Sequence, residues 1–289
     1  MFKLTVKNIP QGYVSQAKDT NIDLDFWQFQ RWKEMSIIKK VQLIIGATQG
    51  CRKLSLMGIK NQYSNLNLQE QRYLYIKRIL GEEYAKIINN YDLKTEIMIG
   101  NPIELALLIA KILESLEIPY FIGGSVASSL WGESRATLDI DLVADFKIAK
   151  INEFINQVQG LFYVRESGIK EAIINQTSFN LIHFDTNEKI DIFILKNNPL
   201  SQQEMKRRTL QKVEENEKYL YLATPEDTII KKLIWYREGN QISDRQWRDI
   251  LGVLKTQTSQ LDFNYLHYWS KEENLSNLLN KALEESGLL

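Results

Sequence analysis

The sequence is poor in the residues that staple or metallate a small scaffold: of 289 residues one is cysteine, Cys51, and two are histidines, His183 and His267. A single thiol excludes an internal disulfide and any multi-cysteine zinc site, and it suits a reducing compartment. Two histidines exclude a histidine-rich metal centre. Five prolines and no low-complexity tract leave nothing that reads as a flexible linker. An excess of one charge is missing too. Thirty-six basic residues balance thirty-six acidic ones, so there is no global positive field to gather nucleic acid. The most apolar stretch, Ile103 to Leu113, is interrupted by Glu104 and Lys111 and is too short to span a bilayer. The first twenty residues lack the apolar segment of a secretory signal. The expectation is a soluble cytoplasmic protein with no membrane partner.

What is present is ordinary folded composition, 44% hydrophobic and 25% charged, in a chain long enough for roughly two domains of about 150 residues. Two breaks divide it. The first is Ile99-Gly100-Asn101-Pro102, a breaker, a capping residue and a proline suited to a first helical position. Before it, apolar residues recur at three- and four-residue intervals over 22–58 and 67–89, the period of amphipathic helices, with Gly81 kinking or ending one of them. The second is Ala223-Thr224-Pro225-Glu226-Asp227, where Thr224 caps, Pro225 opens a helix and two acids complement its dipole. After it the spacing predicts helices over 225–238, 243–257, 262–270 and 272–285. Between the breaks the pattern alternates: a helix at 102–117, a strand at 119–122, a small-residue helix at 125–131 and a strand at 137–143. A helix at 147–159, a strand at 161–165 and a short helix at 168–175 follow. Strands at 178–184 and 189–195 then flank the hydrophilic turn Asp185-Thr186-Asn187-Glu188. The fold class expected is α+β: a small mixed-sheet core at 101–224, an N-terminal helical module at 1–100 and a C-terminal helical part at 225–289.

Chemistry concentrates in the middle. On the strand Thr137 to Val143, side chains alternate faces, so Leu138, Ile140 and Leu142 point one way and Asp139 and Asp141 the other. An isolated Asp-x-Asp is most simply a solvated polar face. Two ionised carboxylates on one face also repel, and a divalent cation such as Mg²⁺ relieves that repulsion through oxygen ligands. A third acid, Asp191, interrupts the apolar run Lys189-Ile190-Asp191-Ile192-Phe193, where carboxylates are disfavoured unless something holds them. If the two strands are neighbours, three carboxylates converge, as metal-assisted phosphoryl transfer requires. Upstream, Tyr120 to Ile122 runs into Gly123-Gly124-Ser125 and a helix of small residues; the glycines permit close backbone approach and the helix start offers free amides to an anion. It is no Walker loop, because the Gly-Lys-Ser/Thr is missing.

Taken together, Gly123-Gly124-Ser125, Arg135-Ala136-Thr137, Asp139-x-Asp141 and Asp191 resemble the signature of the DNA polymerase β-type nucleotidyltransferase superfamily. The run GGSVASSLWGESRATLDIDLV is similar to minimal bacterial nucleotidyltransferases, including those of abortive-infection toxin–antitoxin systems, and the segments 224–233 and 245–250 resemble the helical part that follows in that group. The resemblance covers about 102–257. It implies that Gly123, Gly124 and Ser125 hold the nucleotide's phosphates, and that Asp139, Asp141 and Asp191 ligate two Mg²⁺ ions. It further implies that Asp191 activates an acceptor hydroxyl, that Lys232 and Arg135 neutralise the triphosphate or departing pyrophosphate, and that Asp249 is a late acid of the helical part, with Asp244 its rival. The implied reaction moves a nucleoside monophosphate from an NTP, ATP among them, to a hydroxyl of a protein, a tRNA or a small molecule. The alternative is a nucleotide-binding or toxin–antitoxin interaction module with a protein partner and little turnover. Residues 20–88 look similar to a helical module found near such enzymes. Within the chain itself, Lys232 has the rival reading of a solvated helix face; Lys206-Arg207-Arg208 reads as a solvated helix end, with steering of a phosphate-rich acceptor as the alternative; Phe26, Trp27, Phe29 and Trp32 read as packing residues and His183 as a structural histidine.

Overall fold

The computed structural model describes residues 9–91 and 97–289; residues 1–8, part of the stretch read above for a signal, lie outside them. Four helices come first: α1 (Ile22–Glu34), α2 (Ile37–Gln62), α3 (Leu68–Leu80) and α4 (Glu82–Asn89). Gly81 ends α3 with φ at 93°, a conformation glycine adopts without steric cost. The α/β part follows as α5 (Pro102–Ser115), β1 (Tyr120–Ile122), α6 (Gly124–Trp131), β2 (Asp139–Ala144), α7 (Ile151–Val158), β3 (Phe162–Tyr163), α8 (Glu166–Asn175), β4 (Ser178–His183) and β5 (Lys189–Ile194). Then come α9 (Pro199–Arg207), β6 (Thr209–Glu214) and β7 (Lys218–Leu222), and finally α10 (Pro225–Glu238), α11 (Asp244–Gln257), α12 (Phe263–Glu272) and α13 (Ser276–Glu285). The chain is a mixed α+β protein, as its sequence pattern implies.

Local chemistry accounts for the two breaks. The Asn101 side chain accepts from the amides of Ile103 and Glu104, and Pro102 occupies the position where a missing N–H costs nothing. Thr224 accepts from the Asp227 amide ahead of Pro225, and α10 ends before Gly239.

Among the described residues seven strands form one mixed sheet in the order β3-β4-β5-β2-β1-β7-β6. β2 lies parallel to β5 and antiparallel to β1, and β1 is parallel to β7. The hairpin β6–β7 lies in a region where the sequence pattern marks no strand. β6 is an edge strand whose residues are mostly half-exposed, so only Val213 is buried and the apolar alternation is faint. Its consequence is large, because β7 lies against β1 and delivers α10 next to Gly123.

One sheet face, with Ile140, Leu142, Ile190 and Ile192, packs into the main core with α5, α6 and α11. Val41 and Ile44 of α2 join that core. The N-terminal helices also reach the core through buried polar contacts. Lys40 donates to the carbonyls of Trp131 and Gly132, Arg52 donates to the Leu138 carbonyl at 3.1 Å, and the Thr48 hydroxyl accepts from the Thr137 amide at 3.1 Å. These contacts clamp residues 131–138, the segment that feeds β2. Burial pulls the Lys40 amine down to about 8.

Three surface readings change. Residues 185–188 do turn between β4 and β5, yet Thr186, Asn187 and Glu188 are buried, with Glu188 facing Arg52 at 3.7 Å. Arg207 and Arg208 are not a solvated helix end: Arg207 pairs with Glu226 at 2.9 Å and stacks on the Tyr265 ring, and Arg208 stacks on Tyr221. Among the N-terminal aromatics Phe29 is buried, while Trp27 is exposed. Among the described residues no helix is long and apolar enough to cross a membrane.

Candidate active site

The other face of the sheet carries the acids. In the parallel β2–β5 ladder Asp139 is paired with Lys189 and Asp141 with Asp191, so all four side chains emerge on one face. The Lys189 ammonium lies 2.8 Å from Asp191 Oδ2 and 3.7 Å from Asp139 Oδ1. Burial opposes the Lys189 charge, but Asp191 and Asp139 outweigh it and hold its pKa above the ordinary lysine value. Burial pushes the Asp141 and Asp191 carboxyls up, and mutual repulsion among the three acids adds to the shift.

Asp141 is seated by Gly124. This glycine has φ at +54°, and a Cβ on it would lie 1.8 Å from Asp141 Oδ2. Lacking one, the start of α6 comes close enough for the Ser125 amide to donate to Asp141 Oδ2 at 3.2 Å. The Gly123 amide donates to the Asp141 carbonyl at 2.9 Å. The Ser125 hydroxyl meets that of Thr137 at 2.6 Å, and the Thr137 hydroxyl donates onward to the Asp139 carbonyl at 2.8 Å. Thr137 has one proton to give, so Ser125 is the donor of the pair. This chain of hydroxyls ties the glycine turn to the first residue of β2.

A cavity of about 330 Å³ opens beside Asp141, between the sheet, α9 and α10. Gly123, Gly124, Asp141 and Lys232 line one part of it, and Phe193 and Trp235 supply apolar and aromatic wall. Lys232 is 4% exposed, which settles against a solvated helix face. Its ammonium donates to Asp249 Oδ2 at 2.8 Å, and Arg135 binds the same carboxylate in bidentate fashion through Nε at 3.0 Å and Nη2 at 2.8 Å. Burial alone would raise the Asp249 pKa; the two cations more than reverse this and hold it below the ordinary range. Asp249, not Asp244, is therefore the acid of α11 that joins the site. Asp244 opens that helix on the surface.

The structure thus brings Gly123, Gly124, Asp141 and Lys232 to one cavity and sets Asp139 and Asp191 beside Asp141 on the same face. Arg135 reaches the group through Asp249. The Ser125 hydroxyl is turned toward Thr137.

Two participants escape the sequence motifs. Lys189 reads there only as a polar neighbour of Asp191, because nothing in one strand reveals which residue stands opposite in the next. Glu204, on α9, lines the cavity at 2% exposure, and burial lifts its carboxyl to about 7 against the pull of Lys231, 3.1 Å away. A signal existed: Glu204 falls four residues after buried Leu200, on the inward side of α9.

The donor set suits a hard cation in kind, being carboxylate oxygen with more negative charge than Lys189 offsets. Among the described residues, however, no three His, Cys, Asp or Glu side chains are gathered into a ready metal cage.

No protein-family model and no curated protein matches this sequence. Among solved structures, the chain is similar to an antigenic nucleotidyltransferase-like protein from Paracoccidioides brasiliensis, at 21% identity over 64% of this chain and 90% of that one, with a TM-score of 0.43. It is also similar to the antibiotic-resistance factor ANT(2'')-Ia, at 16% identity over 62% of this chain and 97% of that one, with a TM-score of 0.40.

Proposed function

We propose that this chain is a Mg²⁺-dependent nucleotidyltransferase that moves a nucleoside monophosphate from an NTP to an acceptor hydroxyl. The observation that carries the reading is the pairing of Asp141 with Asp191 across β2 and β5, with Asp139 on the same face and a glycine-edged cavity alongside. A pure binding module has no use for three mutually repelling carboxylates held together by the sheet. Asp139, Asp141 and Asp191 would hold the Mg²⁺ ions. When bound, the metal neutralises charge on the phosphate oxygens and favours ionisation of the attacking hydroxyl.

The remaining work falls to this chain's own groups. The glycine turn at Gly123-Gly124 lets the triphosphate lie against backbone, and Trp235 and Phe193 offer apolar surface to the nucleoside. Asp191 takes the proton of the acceptor hydroxyl as its oxygen forms a bond to the α-phosphorus. The bond from that phosphorus to the bridging oxygen breaks, and pyrophosphate leaves toward Lys232. The Lys232–Asp249–Arg135 cluster carries two cations on one carboxylate, so it retains net positive charge for that departing anion. The acceptor is a hydroxyl of a protein, a tRNA or a small molecule.

The test is transfer of radiolabel from each α-labelled NTP to a panel of protein, tRNA and small-molecule acceptors, comparing the parent with Asp139→Ala. The parent labels an acceptor and the variant loses at least about a thousandfold in rate. Equal labelling by both, or labelling by neither, overturns the reading and leaves a nucleotide-binding or protein-partner module.

A further inference from the structure

The carboxylate face already contains a cation. Lys189 stands opposite Asp139 in the ladder, two residue pairs before the Asp141–Asp191 pair and on the same face, and its ammonium bridges Asp191 at 2.8 Å and Asp139 at 3.7 Å. Its side chain is 21% exposed, that of Asp191 15% and that of Asp139 42%, so the Asp191 arm of the bridge is sheltered and the Asp139 arm is open to solvent. An ammonium donates hydrogen bonds and accepts none, and a divalent ion needs the same oxygen lone pairs. The two compete for Asp191 Oδ2, which the ammonium already holds. They would also repel, since like charges a few ångströms apart in a half-buried site interact strongly. The ammonium stands between Asp139 and Asp191, where a bridging metal would bind.

We propose that Lys189 is a resident counter-ion of the carboxylate site, holding Asp139 and Asp191 together when no metal is bound and being displaced when a divalent cation binds between them. The inference rests on the metal-dependent reading above and deepens it. Lys189 is a positioning residue: it keeps mutually repelling acids on one face, and it lowers the site's affinity for a bare cation. Asp141, which accepts from the Ser125 amide, forms no ion pair among the described residues, although Lys232 and Lys189 act on it from farther away. One part of the site therefore accepts a cation directly, and the other yields only to one that outcompetes the lysine. A metal arriving with the triphosphate does so more readily than a free ion, because it brings additional phosphate ligands.

The experiment uses the full chain and Mn²⁺ alone, with free Mn²⁺ followed by electron paramagnetic resonance. Lys189→Met keeps most of the side-chain stem and removes the charge, and it binds Mn²⁺ at least about tenfold more tightly than the parent. Lys189→Arg, which keeps a cation, gains nothing. In the parent, Mn²⁺ also raises the rate at which an amine-acylating reagent labels Lys189, read by peptide mass spectrometry. This second measurement stands if Lys189→Met fails to fold. Equal or weaker Mn²⁺ binding by Lys189→Met, binding by neither protein, or acylation indifferent to Mn²⁺ overturns the proposal. Its failure is separable from that of nucleotidyl transfer. A parent that labels acceptors while Lys189→Met leaves Mn²⁺ affinity unmoved removes the lysine's role alone; a Lys189→Met protein that binds Mn²⁺ more tightly although no acceptor is ever labelled keeps it.

Discussion

Two charge clusters flank the same cavity and are built on opposite plans. On the sheet, three carboxylates meet one ammonium, and Asp141 and Asp191 are pushed toward their protonated forms. On the helices, two cations meet one carboxylate, and Asp249 is held ionised. Identical side chains titrate in opposite directions because their neighbours differ, not because their burial does. The sheet cluster is thus poised to receive positive charge and the helical cluster to receive negative charge. A triphosphate escorted by Mg²⁺, as proposed above, would supply both.

The comparison can be tested from its strongest consequence downward. Asp249→Ala removes the buried carboxylate that pairs with Lys232 and the two side-chain bonds of Arg135, which keeps its bond to the Ala136 carbonyl. The expected loss is about 3 to 5 kcal/mol of stability, read by chemical denaturation. Asp141→Asn, on the opposite plan, leaves the fold at least as stable while abolishing transfer, since burial penalises the ionised Asp141 carboxyl. A parallel loss in both variants would mean that the clusters do not differ as described.

Gly124→Ala tests how closely the sheet cluster depends on its glycine turn. The new Cβ meets Asp141 Oδ2 at a φ of +54°, so about 3 kcal/mol of destabilisation is expected, together with loss of transfer. Unchanged activity would show that Asp141 does not need its seat on α6.

The smallest effect concerns Glu204, which lines the same cavity. Its folded pKa of about 7 exceeds the ordinary 4.5, so the folded chain binds this proton more tightly than the unfolded chain. Stability from this group is present below 4.5 and is lost as pH rises through 7. Glu204→Gln removes that dependence, so its stability relative to the parent improves by roughly 2 kcal/mol between pH 5 and 7. A difference that stays flat across this range would mean that Lys231 holds the carboxylate ionised throughout.

Much of the architecture is legible along the chain because its signals are local. Asn101-Pro102 and Thr224-Pro225 fix two helix starts through capping and a pre-set φ, and α10 spans the 225–238 read from its pattern. The alternation of Asp139, Asp141 and Asp191 with isoleucine and leucine assigns each acid to a face. The hairpin β6–β7 is not legible, since an edge strand needs little apolar alternation. Nor is the burial of Lys232 and of residues 186–188, which depends on helices distant in sequence.

Alternation and capping act within a few residues, so the polar side of β2 and of β5 and the starts of α5 and α10 can be read along the chain. Only the tertiary structure decided which carboxylates share a face, that Lys189 stands among them, and that Asp249 binds both Lys232 and Arg135. Those outcomes follow from strand order, register and helix packing, and electrostatic interaction depends on distance through space, not on separation along the chain.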